Sequence, residues 1–286
     1  MPELPDLIHL EKRLNEYLPG EIITAAEIHE PLVLRMLLPG DFCENLRSTQ
    51  FQIIKRHGPF LTFSLSGEKE LVIHPMLAGR FHWSEAQAKP PAACALSLRC
   101  EANGRVFHYS DDKKMGKVYL TAAGEYKKIP RFNEQGPDLL STDFTLAYFK
   151  TQLKKSRKQV RVLIMDQSVV SCIGNAYADE VLFAAGIHPK TFCYQLNEAE
   201  GEKLYHAIIQ VMQWGIVEVE RAAKPIEVKV RDHVKVRNRK DQPCPQCGAK
   251  IRRAGVLGYD AFFCPTCQPL QRSQFIDWRD LKEEAG

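Results

Sequence analysis

The chain has 286 residues, 44% of them hydrophobic and 26% charged, with a formal net charge of +4. This is the make-up of an ordinary folded protein of about one to three domains with a full core, which excludes a disordered or fibrous chain. No run of 18 apolar residues is present, so no membrane-spanning helix is expected. No basic stretch precedes an apolar one at the N-terminus, so no secretory signal is expected and the cytoplasm is the default compartment.

The chain opens MPELPDLIHLEKRLNEYLPG, where Leu7, Leu10, Leu14 and Leu18 recur at helical spacing. Pro5 suits a first turn and Pro19-Gly20 stops the helix. Strand-like runs follow at 21–30, 51–57, 60–66, 70–77 and 95–101. NGRVFHYS (103–110) carries an Asn103-Gly104 hairpin signal, and GKVYLT (116–121) comes next. SEAQAKPPAA (84–93) reads as a surface loop and KKIPRFNEQGPDLLSTD (127–143) as a linker.

From Phe144 the pattern turns helical. Helices are expected over 144–155, 158–170 and 175–186, the last opened by Asn175 as N-cap and closed by Gly186. A longer one runs over 197–223, with Asn197 and Glu200 at capping-box spacing. IEVKVRDHVKVRNR (226–239) alternates apolar and basic residues as an exposed ribbon would, and DWRDLKEEAG is a polar tail.

Charge is unevenly placed. Lys224 to Arg253 holds ten Lys/Arg against three Asp/Glu, and Lys150 to Arg161 holds six Lys/Arg and no acid. Such asymmetry suits a polyanionic partner, nucleic acid first, though a solvated basic face has the same composition.

Nine cysteines, an odd number without a signal, argue against a disulfide framework. Cys43, Cys94, Cys100, Cys172 and Cys193 are scattered and read as buried small hydrophobes. The others form Cys244-x-x-Cys247, sixteen residues, Cys264-x-x-Cys267. Each pair brings two thiolates to one tetrahedral ion, and four cysteines leave no position for water. One structural zinc is therefore expected; paired redox dithiols are the alternative.

In MDQSVVSCIGNAYADEVLFAAGIHP an apolar helix ends near Val170, Ser-Cys-Ile-Gly follows, and Asn175 opens the next helix. Small residues allow close approach of another backbone, and free amides at the helix start favour an anion. The residues alone equally fit a structural helical hairpin.

This stretch resembles the helix-two-turn-helix of the formamidopyrimidine-DNA glycosylase and endonuclease VIII family, whose pattern is D-Q-x-x-V-x-G-I-G-N-x-Y-A-D-E-x-L-F-x-x-G-I-H-P. Asp166, Gln167, Val170, Ile173, Gly174, Asn175, Tyr177, Ala178, Asp179, Glu180, Leu182, Phe183, Gly186, Ile187, His188 and Pro189 match, with Cys172 in place of a glycine. The opening M-P-E-L-P and the closing F-F-C-P-T-C-Q are similar to the family as well.

The resemblance implies an α+β fold. An N-terminal helix and antiparallel β-sandwich would occupy 1–131, a linker 132–143, a helical DNA-binding domain 144–235, a zinc finger 236–272 and a tail 273–286. It implies excision of oxidised bases followed by strand cleavage, with damaged DNA as partner, no membrane, no small-molecule cofactor, a monomeric state and a bacterial, nucleoid-associated setting. Pro2, exposed by removal of Met1, would be the nucleophile and Glu3 the proton shuttle. An α-amine titrates near pH ~8, about two units below lysine, so part of it is neutral at pH 7. Its attack on a sugar carbon gives an iminium that acidifies the neighbouring C–H, and Glu3 is tethered one residue away to move protons. Taken alone, Pro2 is a common second residue and Glu3 a first-turn acid facing the helix dipole.

Other positions carry over singly. His74 and Asn175 match the family's phosphate-binding histidine and asparagine, and Asp6 stands where the family usually has glutamate. Departures are equally specific. Gly58 occupies the register of a sandwich-domain lysine, with Lys55, Arg56 and His57 nearby but out of register. Tyr259 stands where the zinc hairpin carries a phosphate-gripping arginine, with Arg252 and Arg253 in the same ribbon. Leu77, Lys113 and Met115 fall at the positions that fill the gap left by an everted base, and the lesion-capping loop is absent from 221–244. A tyrosine offers no charged fork, although it can stack on a base; Leu and Met can still act as apolar wedges.

The expectation is a base-excision DNA glycosylase with abasic-site lyase activity. A catalytically weak DNA-binding or damage-sensing protein on the same scaffold is the alternative, and a zinc-ribbon nucleic-acid binder unrelated to repair is a remote third.

Overall fold

The periodic leucines lie on the buried face of helix α1 (Leu4–Tyr17), with Leu7, Leu14 and Leu18 fully covered and Leu10 nearly so. Each such burial contributes about 1.5–3 kcal/mol, and Pro5 sits in the first turn, where its missing N–H costs nothing. The computed structural model describes residues 1–101 and 104–270. Asn103 of the expected hairpin signal, residues 271–272 and the expected 273–286 tail lie outside the described residues.

After α1 come β1 (Ile23–Ile28), β2 (Leu34–Met36), α2 (Phe42–Leu46), β3 (Phe51–His57), β4 (Phe60–Leu65), β5 (Lys69–His74), β6 (Arg80–Glu85), β7 (Cys94–Cys100), β8 (Arg105–Ser110) and β9 (Lys117–Ala122). Strands β1-β7-β8-β6 form one sheet and β2-β9-β5-β4-β3 another. Phe51 and Phe63 of the second meet Phe81 and Phe107 of the first at centroid distances of 5.5–6.3 Å, which makes the core of a β-sandwich.

Two strands and one short helix escape a reading by runs. β6 is an edge strand whose Phe81 and Trp83 alternate with polar residues, and β2 has only three residues, paired in parallel with β9. The expected 127–143 linker is instead packed, with Ile129 and Phe132 buried against Phe60, Val72 and Tyr119.

The helices are α3 (Leu146–Lys155), α4 (Val160–Ile164), α5 (Asn175–Ala185) and α6 (Glu198–Ala222), followed by the hairpin β10 (Arg252–Val256) and β11 (Tyr259–Phe263). The Asn197–Glu200 capping box closes in both directions at 2.9 Å. The helix expected over 158–170 stops at Ile164. Asp166 captures the amide and hydroxyl of Ser168, a local bond that competes with helical pairing. The ribbon expected over 226–239 contains no strand: Ile226, Val230, Val234 and Val236 are buried, and the amides of Lys235, Val236 and Arg237 donate to the Glu180 carboxylate. No described helix is long and apolar enough to cross a membrane.

Two compact units draw on separated stretches of sequence. One comprises Met1–Phe144, Met165–Gly174 and Gln210–His233; the other comprises Thr145–Ile164, Asn175–Ile209 and the described residues from Val234 onward. In the second, Phe183, Val236, Ile251 and Phe262 share a core with Cys244 and Cys264. Of the scattered cysteines, Cys100, Cys172 and Cys193 are buried, whereas Cys43 and Cys94 are only partly covered.

Candidate active site and metal centre

In the first unit the N-terminus is fixed by the turn before α5. Leu4 N–H donates to Cys172 O at 2.9 Å, and Gly174 N–H donates to Glu3 Oε2 at 2.9 Å. Glu3 is 4% exposed, and its own amide donates to Asp6 Oδ2 at 2.8 Å. Arg231 closes the group. Its Nη1 and Nη2 donate to Asp6 Oδ1 and Oδ2 at 2.8 and 2.6 Å, and Nη2 lies 3.8 Å from Glu3 Oε1. Two carboxylates on one helical turn are thus balanced by a guanidinium.

Two amines converge on Leu77 O: that of Met1 at 3.0 Å and Lys229 Nζ at 3.2 Å. Burial, reinforced by the Lys229 charge, pulls the Met1 amine down to about 6, and burial likewise lowers Lys229. Pro2 lines a small cleft with Asp6, Gly79, Arg80 and Lys229.

His74 ends β5. Met76 N–H donates to its Nδ1 at 3.0 Å, which leaves the neutral ring's hydrogen on Nε2 as a donor. Burial lowers His74 to about 4. The loop after His74 presents Leu77, 52% exposed, and the loop before β9 presents Met115, 40% exposed, beside exposed Lys113. Both loops rest on Tyr109 through glycine: a Cβ at Gly79 would press on its hydroxyl and one at Gly116 would overlap it.

Gly58 has φ +51, and a Cβ there would lie 2.9 Å from the Gln135 side chain, so the turn after β3 admits no lysine in that register without strain. Arg56 does not reach into its place. Its guanidinium pairs with Asp138 and lies 3.8 Å from Cys172 Sγ. Cys172, where the family has glycine, takes φ +66; burial pushes its thiol up to about 12, which makes it unreactive.

In the second unit Asn175 begins α5, but its side chain does not cap the helix: Oδ1 accepts from Arg161 Nη2 at 2.9 Å. Arg161, 1% exposed, also donates to Asp179 Oδ1 at 2.9 Å. Asp179 Oδ2 accepts from Arg237 at 2.8 Å and from Phe262 N–H at 3.1 Å, which ties α5 to β11. Burial raises the Asp179 carboxyl against the pull of both guanidiniums. Reading residues singly missed this trio; the signal is an acidic pair inside the apolar run AYADEVLF.

Tyr259 pairs with Val256 across the two-residue turn Leu257-Gly258, both at positive φ, and is 55% exposed. Arg252 and Arg253, its expected substitutes, stand 3.6 Å from Asp241 and 3.4 Å from Asp260.

The sulfurs of Cys244, Cys247, Cys264 and Cys267 all lie within 4.8 Å of one another, with Cys244–Cys267 at 3.9 Å and Cys247–Cys264 at 3.4 Å. Zinc–sulfur bonds of about 2.3 Å make a tetrahedron with edges of about 3.8 Å, so the four thiolates suit one zinc ion with sulfur shifts of up to about 1 Å.

The formamidopyrimidine-DNA glycosylase N-terminal domain matches residues 1–118, the formamidopyrimidine-DNA glycosylase H2TH domain 135–225, and the zinc finger found in FPG and IleRS 241–270. A formamidopyrimidine-DNA glycosylase of Desulforamulus reducens is 32% identical over 94% of this chain and 99% of its own length. One from Pelotomaculum thermopropionicum is 30% identical over 95% and 100%. Among solved structures, the Lactococcus lactis Fpg in complex with abasic-site DNA superposes with a TM-score of 0.84 at 27% identity, over 93% of this chain and 99% of that one. The MutM (Fpg) protein of Thermus thermophilus gives 0.81 at 29%, over 93% and 98%. The chain belongs to the formamidopyrimidine-DNA glycosylase family.

Proposed function

We propose that the protein is a base-excision repair DNA glycosylase that removes oxidised bases and then acts as an abasic-site lyase, with the Pro2 nitrogen, freed by removal of Met1, as nucleophile. The reading rests on Glu3: a buried carboxylate, held at 2.9 Å by Gly174 N–H, directly follows the residue that becomes a secondary amine at the chain terminus.

The chemistry follows from these groups. The amine attacks C1′ of the damaged nucleotide; the bond to the base breaks, and the base leaves with the electron pair and takes a proton. The nitrogen, having given up its own N–H proton after the attack, uses the recovered lone pair to open C1′–O4′; O4′ gains a proton, and an iminium results. Loss of a C2′ proton then expels the 3′ phosphate. Glu3 moves these protons, a role worth about 10²–10⁴-fold. Burial and the neighbouring Lys229 charge lower the Met1 amine, and the same surroundings would favour the neutral, nucleophilic form of a terminal amine on Pro2.

His74 and Lys113 in one unit, and Asn175, Arg252, Arg253 and Tyr259 in the other, would meet the DNA backbone and bases, with Leu77 and Met115 filling the space of the everted base. The four thiolates would hold one zinc ion, which crosslinks a hairpin too small to fold alone.

A catalytically weak DNA-binding protein is the second reading, favoured by the turn glycine at 58 and the uncharged Tyr259. Borohydride trapping separates the two. Processed protein with an abasic-site duplex should give a covalent adduct under the first reading and none under the second.

A further inference from the structure

We propose that Arg231 is a positioning residue for Glu3, acting through Asp6. The inference rests on the assignment of Glu3 as the proton-transfer group. Glu3 and Asp6 are 4% and 7% exposed and share one helical turn. Two buried carboxylates on one turn resist being ionised together without a cation. The charged and titratable groups facing them include the N-terminal amine, Lys229 and Arg231, with His233 beside Asp6 and Arg231. The amine and Lys229 both donate to Leu77 O. Arg231 instead grips both Asp6 oxygens and keeps one nitrogen 3.8 Å from Glu3 Oε1.

Asp6 in turn holds the Glu3 amide at 2.8 Å. The Glu3 backbone is therefore fixed through Asp6, and its carboxylate through Gly174. A bidentate guanidinium sets orientation as well as charge, which a lysine cannot do. Arg231 has no need to touch DNA in this role.

The test is single-turnover cleavage of an abasic-site duplex from pH 5 to 9, with DNA affinity measured in parallel. Arg231→Met should lower the rate about 10- to 100-fold with affinity changed less than about threefold. It should also move the acid limb of the profile up by about one pH unit, because Glu3 then keeps its proton longer beside Asp6. Arg231→Lys should restore the limb and part of the rate. Asp6→Asn, which removes the competing charge and keeps the shape, should move the limb down and keeps the test decisive if Arg231→Met does not fold.

A lower rate with an unmoved limb in Arg231→Met overturns the proposal, as does a loss accounted for by DNA affinity; if Arg231→Met does not fold, an unmoved limb in Asp6→Asn overturns it. Failure of the wild type to form a borohydride adduct overturns the assignment of Glu3, and this inference with it.

Discussion

Gly174 and Glu3 are matched to each other: the glycine amide donates to the carboxylate at 2.9 Å, and a Cβ on Gly174 would stand 2.8 Å from Glu3 Cδ. Gly174 is not among the residues at positive φ, so alanine there meets Glu3 without adding backbone strain. Gly174→Ala should keep DNA affinity and lower the cleavage rate by about 10²-fold or more, since displacement of a proton-transfer group by about 1 Å costs that much. Single-turnover kinetics beside a binding isotherm measure both; an unchanged rate would mean that Glu3 does not need this contact.

Loss of the metal should dismantle the hairpin. Cys244 and Cys264 share a core with Phe183, Val236, Ile251 and Phe262, so the effect should spread to the helices of that unit. Chelation or Cys264→Ser should abolish DNA binding while the sandwich, built on Phe51, Phe63, Phe81 and Phe107, still unfolds cooperatively on heating. Circular dichroism melts with and without chelator check it. DNA binding retained without metal would make the hairpin dispensable.

Stability should fall on mild acidification. His74 and His108 both have folded values near 4 against 6.5 unfolded, each lowered first by burial. Above about pH 6.5 both states are neutral. Between 6.5 and 4 the unfolded chain takes up protons that the folded chain refuses, so stability drops as pH falls and levels off below about 4. Urea titrations at pH 7, 5.5 and 4.5 should show this slope, with His74→Gln and His108→Gln each flattening it.

Tyr259→Arg should add about one phosphate contact. The dependence of log affinity on log salt should steepen by about 0.9, with tighter binding at low salt. Tyr259→Phe should leave the slope unchanged if the ring stacks on a base. A slope already steep and unmoved by Tyr259→Arg would place the phosphate contacts on other cations.

Legibility in the sequence followed how locally each feature is written. The leucines of α1, the capping box at Asn197 and Glu200, and the four spaced cysteines depend on neighbours a few residues away, and their patterns are visible. The helix expected over 158–170 failed because Asp166 offers its oxygens to the chain just ahead, which an apolar run does not reveal. The valines of 226–239 alternate like a strand, but Val228 is exposed while Val230, Val234 and Val236 are buried, and Glu180 collects the Lys235, Val236 and Arg237 amides that a ladder would need there. Glu3 and Pro2 could be picked out, but not what holds them: Arg231 and Asp6 are 225 residues apart. Gly58 showed only that a lysine was missing; its φ and the Gln135 side chain against it show that a side chain in that register would be strained.

The most direct test of the proposed chemistry is the site of covalent attachment. The protein, with Met1 removed, is trapped on an abasic-site duplex with borohydride, digested, and its DNA-linked peptide identified by mass spectrometry. The adduct should map to the Pro2 nitrogen and be far weaker in protein that retains Met1, where that nitrogen is an amide. An adduct on Lys229 or Lys113, or an equal yield from protein that retains Met1, would contradict the account.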